Sequence, residues 1–224
     1  MELVDGVYGL RIGATLGGNR TTISPVAVET SRGLLLVDVG LPGGVDELEA
    51  ALDAEGLDLG DAWAVLVTHQ DLDHAGCLAT VVERTDAAVF THEVAAAYVE
   101  GRTELVKSTE ERPMEPKPTP VDVRLVGGES FATRAGPMNV VATPGHAPGH
   151  VSCYFPEERL LVAGDALNVV NGELVGPRED VTPDLETAWE SVGELASLDV
   201  RHAFCFHGGY VEQGTDRIRA LLPS

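Results

Sequence analysis

The sequence predicts an α/β fold of four layers, αββα, in which two mixed β-sheets pack face to face and helices cover the outer faces. Three observations lead there. The chain is 224 residues long with 44% hydrophobic content, interleaved with glycine and proline, which suits a globular body able to bury a core without disulfides. Short apolar runs with strand character fill both halves, and each half reads as strands first and helix afterwards. Polar residues follow several of those strands directly, which is where loops leave the end of a sheet.

Taken in order, residues 7–12, 23–28 and 34–38 read as strands of an antiparallel meander, parted by Gly-Gly-Asn and Ser-Arg-Gly turns. A helix over 45–54 places Leu48, Ala51 and Leu52 on one face, and Gly56 stops it. The run 63–67 is a buried strand that delivers "THQDLDHAG", residues 68–76, into a loop. A short helix over 75–82, a strand over 87–91 and a helical turn over 94–98 continue the alternation. Residues 101–120 carry Pro113, Pro116, Pro118 and Pro120 and fit no regular element; they read as an excursion or lid at the edge of a cleft. Strands resume at 121–126, 130–133, 138–142, 151–155 and 160–163. A helix from Pro183 to Leu198 with Thr182 as its cap, a strand over 203–206 and a helix over 213–222 close the chain. Nothing resembles a linker, so 1–224 is read as one domain.

Charge narrows the function. Asp and Glu number 36 against 15 Lys and Arg, a formal net charge of −21, and Lys107 and Lys117 are the only lysines. Such a surface repels nucleic acid and anionic membranes, leaving a small molecule as the expected partner; the oligomeric state is not encoded in any pattern. Few lysines beside many short carboxylates suit a cytosol of molar salt, where screening removes self-repulsion; an acidic protein of a GC-rich mesophile is the alternative. No run reaches the roughly 18 apolar residues of a membrane span, and the first residues lack the pattern of a signal peptide, so a cytoplasmic protein is expected. Cys77, Cys153 and Cys205 have no paired spacing and read as reduced, buried thiols, with Cys77 close enough to the motif to line a site.

Asp38, His69, Asp71, Asp73, His74, His146, Asp165 and His207 each follow an apolar strand directly or within a few residues. Singly, each is accounted for as a cap or a satisfied polar group. Together, imidazoles and carboxylates at rigid strand ends suit divalent zinc, iron or manganese.

The chain resembles the metallo-β-lactamase superfamily, on "LLLVDVGL" at 34–41, "THQDLDHAG" at 68–76, "TPGHAPGH" at 143–150, "AGDAL" at 163–167 and "FHGG" at 206–209. The resemblance implies the metallo-β-lactamase fold and two divalent ions, zinc first, with manganese or iron as alternatives. It assigns His69, Asp71 and His146 to one ion and Asp73, His74 and His207 to the other, with Asp165 between them. It also implies a hydrolase in which a hydroxide shared by the ions attacks, with Asp73 as the catalytic residue that both ligates and orients it. His150 then supports a ligand or touches substrate, Asp38 hydrogen-bonds the motif loop, and His92 and His202 match no motif.

One position departs from the family pattern. Its signature is His-x-His-x-Asp-His, and Asp71 stands where the second histidine is usual. With Asp71, Asp73, Asp165 and one hydroxide set against two divalent ions, the cluster is formally neutral, which favours a harder ion at the first position. The expected substrate is a small ester, thioester, lactone or related bond. "TPGH" followed by a second "GH" is shared with glyoxalase II-like thioesterases, although the chain is expected to lack their glutathione-holding C-terminal region, and no tyrosine closely follows Asp165 as in lactonases. A mononuclear-iron sulfur dioxygenase, using His69, Asp71 and His146 alone, is the alternative from another reaction class.

Overall fold

The strand Ala62–Val67 is apolar along its whole length because both of its faces are covered. In the computed structural model, which describes residues 1–16, 18–108 and 117–223, Ala64 and Leu66 point into a core between two sheets, while Val65 and Val67 point into a second core beneath helices. The period of two along a strand therefore sorts one segment into two layers.

The first sheet runs, in spatial order, Glu2–Val4, Val7–Gly9, Val26–Thr30, Gly33–Val37, Ala62–Val67, Ala88–His92 and Val123–Leu125. Its first strands pair antiparallel, and from Gly33–Val37 onward the pairing is parallel. The second sheet runs Ser130–Thr133, Gly136–Ala142, Val151–Phe155, Leu160–Gly164, His202–Cys205 and Gly209–Val211. Its one parallel pair, Leu160–Gly164 with His202–Cys205, is joined through the helix Leu185–Leu195.

Three apolar layers hold this stack. Leu48 and Leu52 of the helix Val45–Asp53, with Leu78 and Val81 of Leu78–Thr85, pack on Leu36, Val65 and Val89. Leu35, Val37 and Leu66 meet Met138, Val140 and Phe155 between the sheets. Val192 and Leu195, with Ile218 of the helix Thr215–Leu221, cover Leu161, Ala163 and Cys205. The four-layer α/β expectation is met.

Several boundaries move for local reasons. The run read as one strand over 23–28 is split into Asn19–Ile23 and Val26–Thr30, and the break holds Pro25, which has no N–H to offer a ladder. Asn19–Ile23 pairs with Ile12–Leu16 as a separate hairpin. The helix expected from Pro183 starts at Leu185, and its cap is Asp184, whose carboxylate accepts from the Thr187 N–H at 3.1 Å. The hairpin of Asn168–Val170 and Glu173–Val175 and the strand Gly209–Val211 add to the reading. Residues 109–116 of the expected lid lie outside the described residues.

Parallel pairing decides where the chemistry falls. Strands that run the same way end at the same edge, so Asp38, after Val37, emerges beside Thr68 and His69, after Val67. Asp165 and His207 likewise leave adjacent parallel strands. The Val151 N–H donates to the Thr68 carbonyl at 3.0 Å, tying one sheet to the other at that edge.

Candidate metal centre

The loop after Ala62–Val67 is fixed by a single carboxylate. Asp38 adopts a left-handed backbone, φ 60°, a conformation that aspartate tolerates better than most residues. Its Oδ1 accepts from the Thr68 N–H at 2.8 Å, and its Oδ2 accepts from the Thr68 hydroxyl at 2.8 Å and from His74 Nδ1 at 2.7 Å. His74 therefore carries its proton on Nδ1 and turns Nε2 into the cluster, the arrangement by which a carboxylate orients an imidazole ligand. Phe206 of the second sheet stacks on the His74 ring, centroids 3.6 Å apart. Thr68 Oγ1 also lies 3.1 Å from His69 Nδ1, so it can accept a hydrogen bond from a His69 Nδ1–H and leave His69 Nε2 free.

A second chain of hydrogen bonds holds Asp165. Its backbone N–H donates to His150 Nε2 at 3.1 Å, which places the His150 proton on Nδ1, 2.8 Å from Thr143 Oγ1. The Thr143 hydroxyl then faces Ser152 Oγ at 2.9 Å, and Ser152 donates to the Ala163 carbonyl at 3.0 Å. Each donor finds one acceptor only if His150 is neutral. Complete burial beside His69 and His146 holds it well below the ordinary imidazole range. Gly164 has φ 54°, and a Cβ there would stand 2.7 Å from His150 Nε2, so a glycine is required for this close approach. His150 is thus a support for Asp165 rather than a member of the cluster.

The side chains that converge are those singled out in the sequence. Among the described residues, His69, Asp71 and His146 form one group whose candidate ligand atoms all lie within 4.8 Å of one another; Asp73, His74 and His207 form another, and His69, His74 and Asp165 a third. Asp165 lies between the first two, with Oδ2 at 3.3 Å from His146 Nε2 and 3.4 Å from His207 Nε2, and Oδ1 at 3.4 Å from His74 Nε2. His69 Nε2, His74 Nε2 and Asp165 Oδ1 are buried with no hydrogen-bond partner. Orphaned buried atoms of this kind are rare, and three of them aimed at one volume, each a lone-pair donor, fit divalent cations. Asp71 Oδ2 is 3.3 Å from His69 Nε2 and 3.4 Å from His146 Nε2, so its carboxylate faces the first group.

The sequence model of the metallo-beta-lactamase superfamily matches residues 19–207, a span that holds all of these groups. The chain belongs to the metallo-beta-lactamase superfamily. A probable metallo-hydrolase of Bacillus subtilis, YflN, is 32% identical over 200 residues, 78% of this chain and 75% of the relative. A hydroxyacylglutathione hydrolase of Rhizobium meliloti is 27% identical over 65% of this chain, which spans 48% of that relative's length. In structure, a metallo-beta-lactamase family protein of Thermus thermophilus is similar with a TM-score of 0.75 at 27% identity, over 98% of this chain and 79% of its own.

Within this superfamily member, several supporting residues carry no signal in the sequence. Thr68 and Thr143 open two of the quoted motifs without being ligand types, and Ser152 looks like an ordinary residue of Val151–Phe155; their role follows from strand register. Lys107, from the segment after the helix Glu93–Val99, places Nζ 2.5 Å from Asp71 Oδ2 and 2.7 Å from His146 Nε2. Cys77 is not in the cluster: its thiol donates to the Val39 carbonyl, and burial pushes its pKa up to about 12. His92 caps the helix Glu93–Val99 by accepting from the Val94 N–H, and His202 pairs with the Tyr210 hydroxyl at 2.7 Å.

Without metal, the histidines balance the carboxylates. Burial opposes a charge on His207, but Asp165 and Asp73 outweigh it and raise its pKa to about 9; Asp38, Asp165 and Asp73 likewise outweigh burial and raise His74. A folded pKa above the unfolded value of about 6.5 gives stability that is complete below that pH and lost as pH rises through the folded pKa. Chelator-treated protein is therefore expected to melt at falling temperature from pH 6.5 to 9, with His207→Gln removing on the order of 2–3 kcal/mol of that dependence. Thermal melts across the window check this; a midpoint that climbs, or a slope unchanged in His207→Gln, would contradict it.

Proposed function

We propose that this protein is a two-metal hydrolase that cleaves a small thioester, ester, lactone or related bond, working as one domain in the cytoplasm. The observation that carries the reading is the position of Asp165, within 3.4 Å of imidazoles from both ligand groups. A single carboxylate so placed suits a bridge between two ions, zinc first and manganese or iron as alternatives. Divalent ions held there would polarise a carbonyl oxygen and bring the pKa of a water toward neutrality.

The chain's own residues do the rest. Asp73 lies at the more open side with Oδ2 3.2 Å from His207 Nε2, where it can orient the attacking water and accept its proton. The buried thiols, Cys77, Cys153 and Cys205, are in no position to act as nucleophiles. A cavity of about 470 Å³ is lined by Ile12, Ala14, Ile23, Leu41 and Pro42, with Arg20 and Glu47 among its polar groups. Ile23 forms a β-bridge with His207, so this apolar space flanks the second ligand group and suits the acyl part of a small substrate. The hydrolase names among the relatives, including a thioesterase of Emericella nidulans of which this chain covers 34%, support the bond class. The dioxygenase alternative would employ His69, Asp71 and His146 alone and leave the Asp73, His74 and His207 group without a task.

The deciding experiment pairs metal analysis by plasma emission with a panel of thioesters, esters and lactones assayed in high salt. Two ions per chain and turnover of a panel member are expected; one iron per chain with oxygen consumption would overturn the hydrolase reading. Asp71→Ala is expected to lower metal content to about one ion per chain and to reduce kcat/KM by about a hundredfold or more, while Asp71→His restores occupancy with a preference for zinc. Two ions bound by Asp71→Ala at unchanged affinity would remove Asp71 from the ligands.

The charge of −21 supports a protein adapted to molar salt. Its melting temperature is expected to rise as potassium chloride goes from dilute to molar. A flat or falling midpoint would remove that reading.

A further inference from the structure

Lys107 stands on an anchored turn. The Gly101 and Arg102 N–H groups donate to the carbonyls of Tyr98 and Ala97, closing off the helix Glu93–Val99. Leu105 is buried at 4% exposure, and the Ser108 N–H donates back to its carbonyl at 2.9 Å. The turn aims the lysine inward, leaving its side chain 19% exposed. Among the described residues, no other lysine or arginine has an ion pair with a member of the metal centre; the other lysine, Lys117, pairs with Glu83.

Among the described residues, the ammonium contacts two atoms that would face an ion. His146 Nε2 has one lone pair, and it accepts from Lys107 Nζ at 2.7 Å. A zinc ion bonded to that nitrogen would sit at about 2.0–2.1 Å along the same lone pair, so ammonium and ion exclude one another. Asp71 Oδ2, at 2.5 Å from Nζ, is shared in the same way. Asp73, His74 and His207 have no contact with Lys107 among those resolved around them, so the exclusion concerns one group of ligands only.

We propose that Lys107 is a tethered cation that occupies the His69, Asp71 and His146 group until a divalent ion displaces it, so that the two groups load in order, Asp73, His74 and His207 first. The inference rests on the two-metal reading above. The lysine neutralises Asp71 while the first group is empty, and it weakens that group for metal because each ion must break a charged hydrogen-bond pair to enter. It acts as a positioning residue for metal occupancy and does not touch the reacting atoms.

Two measurements on the full chain test it. Chelator-stripped wild type, Lys107→Met and, as a control, Lys117→Met are titrated with zinc against a competing chelator. Wild type is expected to take two ions of clearly different affinity. Lys107→Met is expected to bind the weaker ion about ten- to a hundredfold more tightly, the scale of a charged hydrogen bond, with the tighter ion unchanged and Lys117→Met like wild type. Two ions with both affinities unaltered in Lys107→Met would overturn the inference alone; one ion per chain in every protein at saturation would overturn the two-metal reading and the inference with it. The second measurement needs no variant. Trypsin cleaves after lysine, so zinc should accelerate cleavage of the bond between Lys107 and Ser108 by releasing the side chain, and slower or unchanged cleavage on loading would contradict displacement.

Discussion

Asp71, Asp73 and Asp165 are gathered in one small volume with side-chain exposures of 15%, 17% and 7%. Like charges in such surroundings repel by several kcal/mol unless cations stand among them. Much of the local structure answers to that constraint. Imidazoles from His69, His74, His146 and His207 interleave with the carboxylates, and Lys107 adds a full positive charge beside Asp71. Burial alone would make Asp71 harder to ionise, yet His69, His146 and Lys107 hold its carboxyl well below the usual range. A cluster that packs carboxylates this closely, and that leaves His69 Nε2, His74 Nε2 and Asp165 Oδ1 buried without hydrogen-bond partners, fits divalent ions.

The scaffold meets the constraint by making the candidate ligands rigid from behind. Asp38 ties His74 and Thr68 together, and the chain His150, Thr143, Ser152 fixes the backbone of Asp165. The first device sits at the end of a parallel pair and the second on the antiparallel strands Gly136–Ala142 and Val151–Phe155, and the two sheets meet there through the hydrogen bond from Val151 to Thr68. Gly145 adds a third contact: its φ of 122° and the 2.3 Å between its would-be Cβ and Ala188 N let the helix Leu185–Leu195 seat directly against the loop that carries His146. Geometry set by backbone and by paired side chains is what a metal centre requires, since an ångström of slack would loosen every ligand at once.

Much of this could be read before any coordinates. Strands covered on both faces announce themselves as continuous apolar runs, and a polar residue just beyond such a run has few places to go but the sheet edge; that logic exposed Asp38, His69, Asp165 and His207. The role of Asp38 as a hydrogen-bond acceptor for the motif loop was legible for the same reason. Other features depend on contacts between distant segments. Lys107 lies 36 residues from Asp71 in a proline-rich stretch without periodicity, so nothing local marks it. Thr143 and Ser152 meet through the pairing of Gly136–Ala142 with Val151–Phe155. Thr182 and Asp184 are both chemically able to cap a helix, and only the path of the backbone shows that Asp184 reaches the Thr187 N–H while Thr182 Oγ1 lies 3.5 Å from His146 Nδ1.

The chain belongs to the metallo-beta-lactamase superfamily, and Asp71 stands where the signature read from the sequence has an imidazole. That exchange adds negative charge to the first ligand group and provides the partner for Lys107, so Asp71 is the residue on which the account turns. Anomalous X-ray diffraction from crystals of the metal-loaded protein, recorded at the absorption edge of the bound metal, tests it most directly. The account predicts two separate peaks, one bonded by His69, Asp71 and His146 and one by Asp73, His74 and His207, with Asp165 touching both and Lys107 withdrawn from His146. A single peak, or an Asp71 carboxylate beyond bonding distance of the first peak, would contradict it.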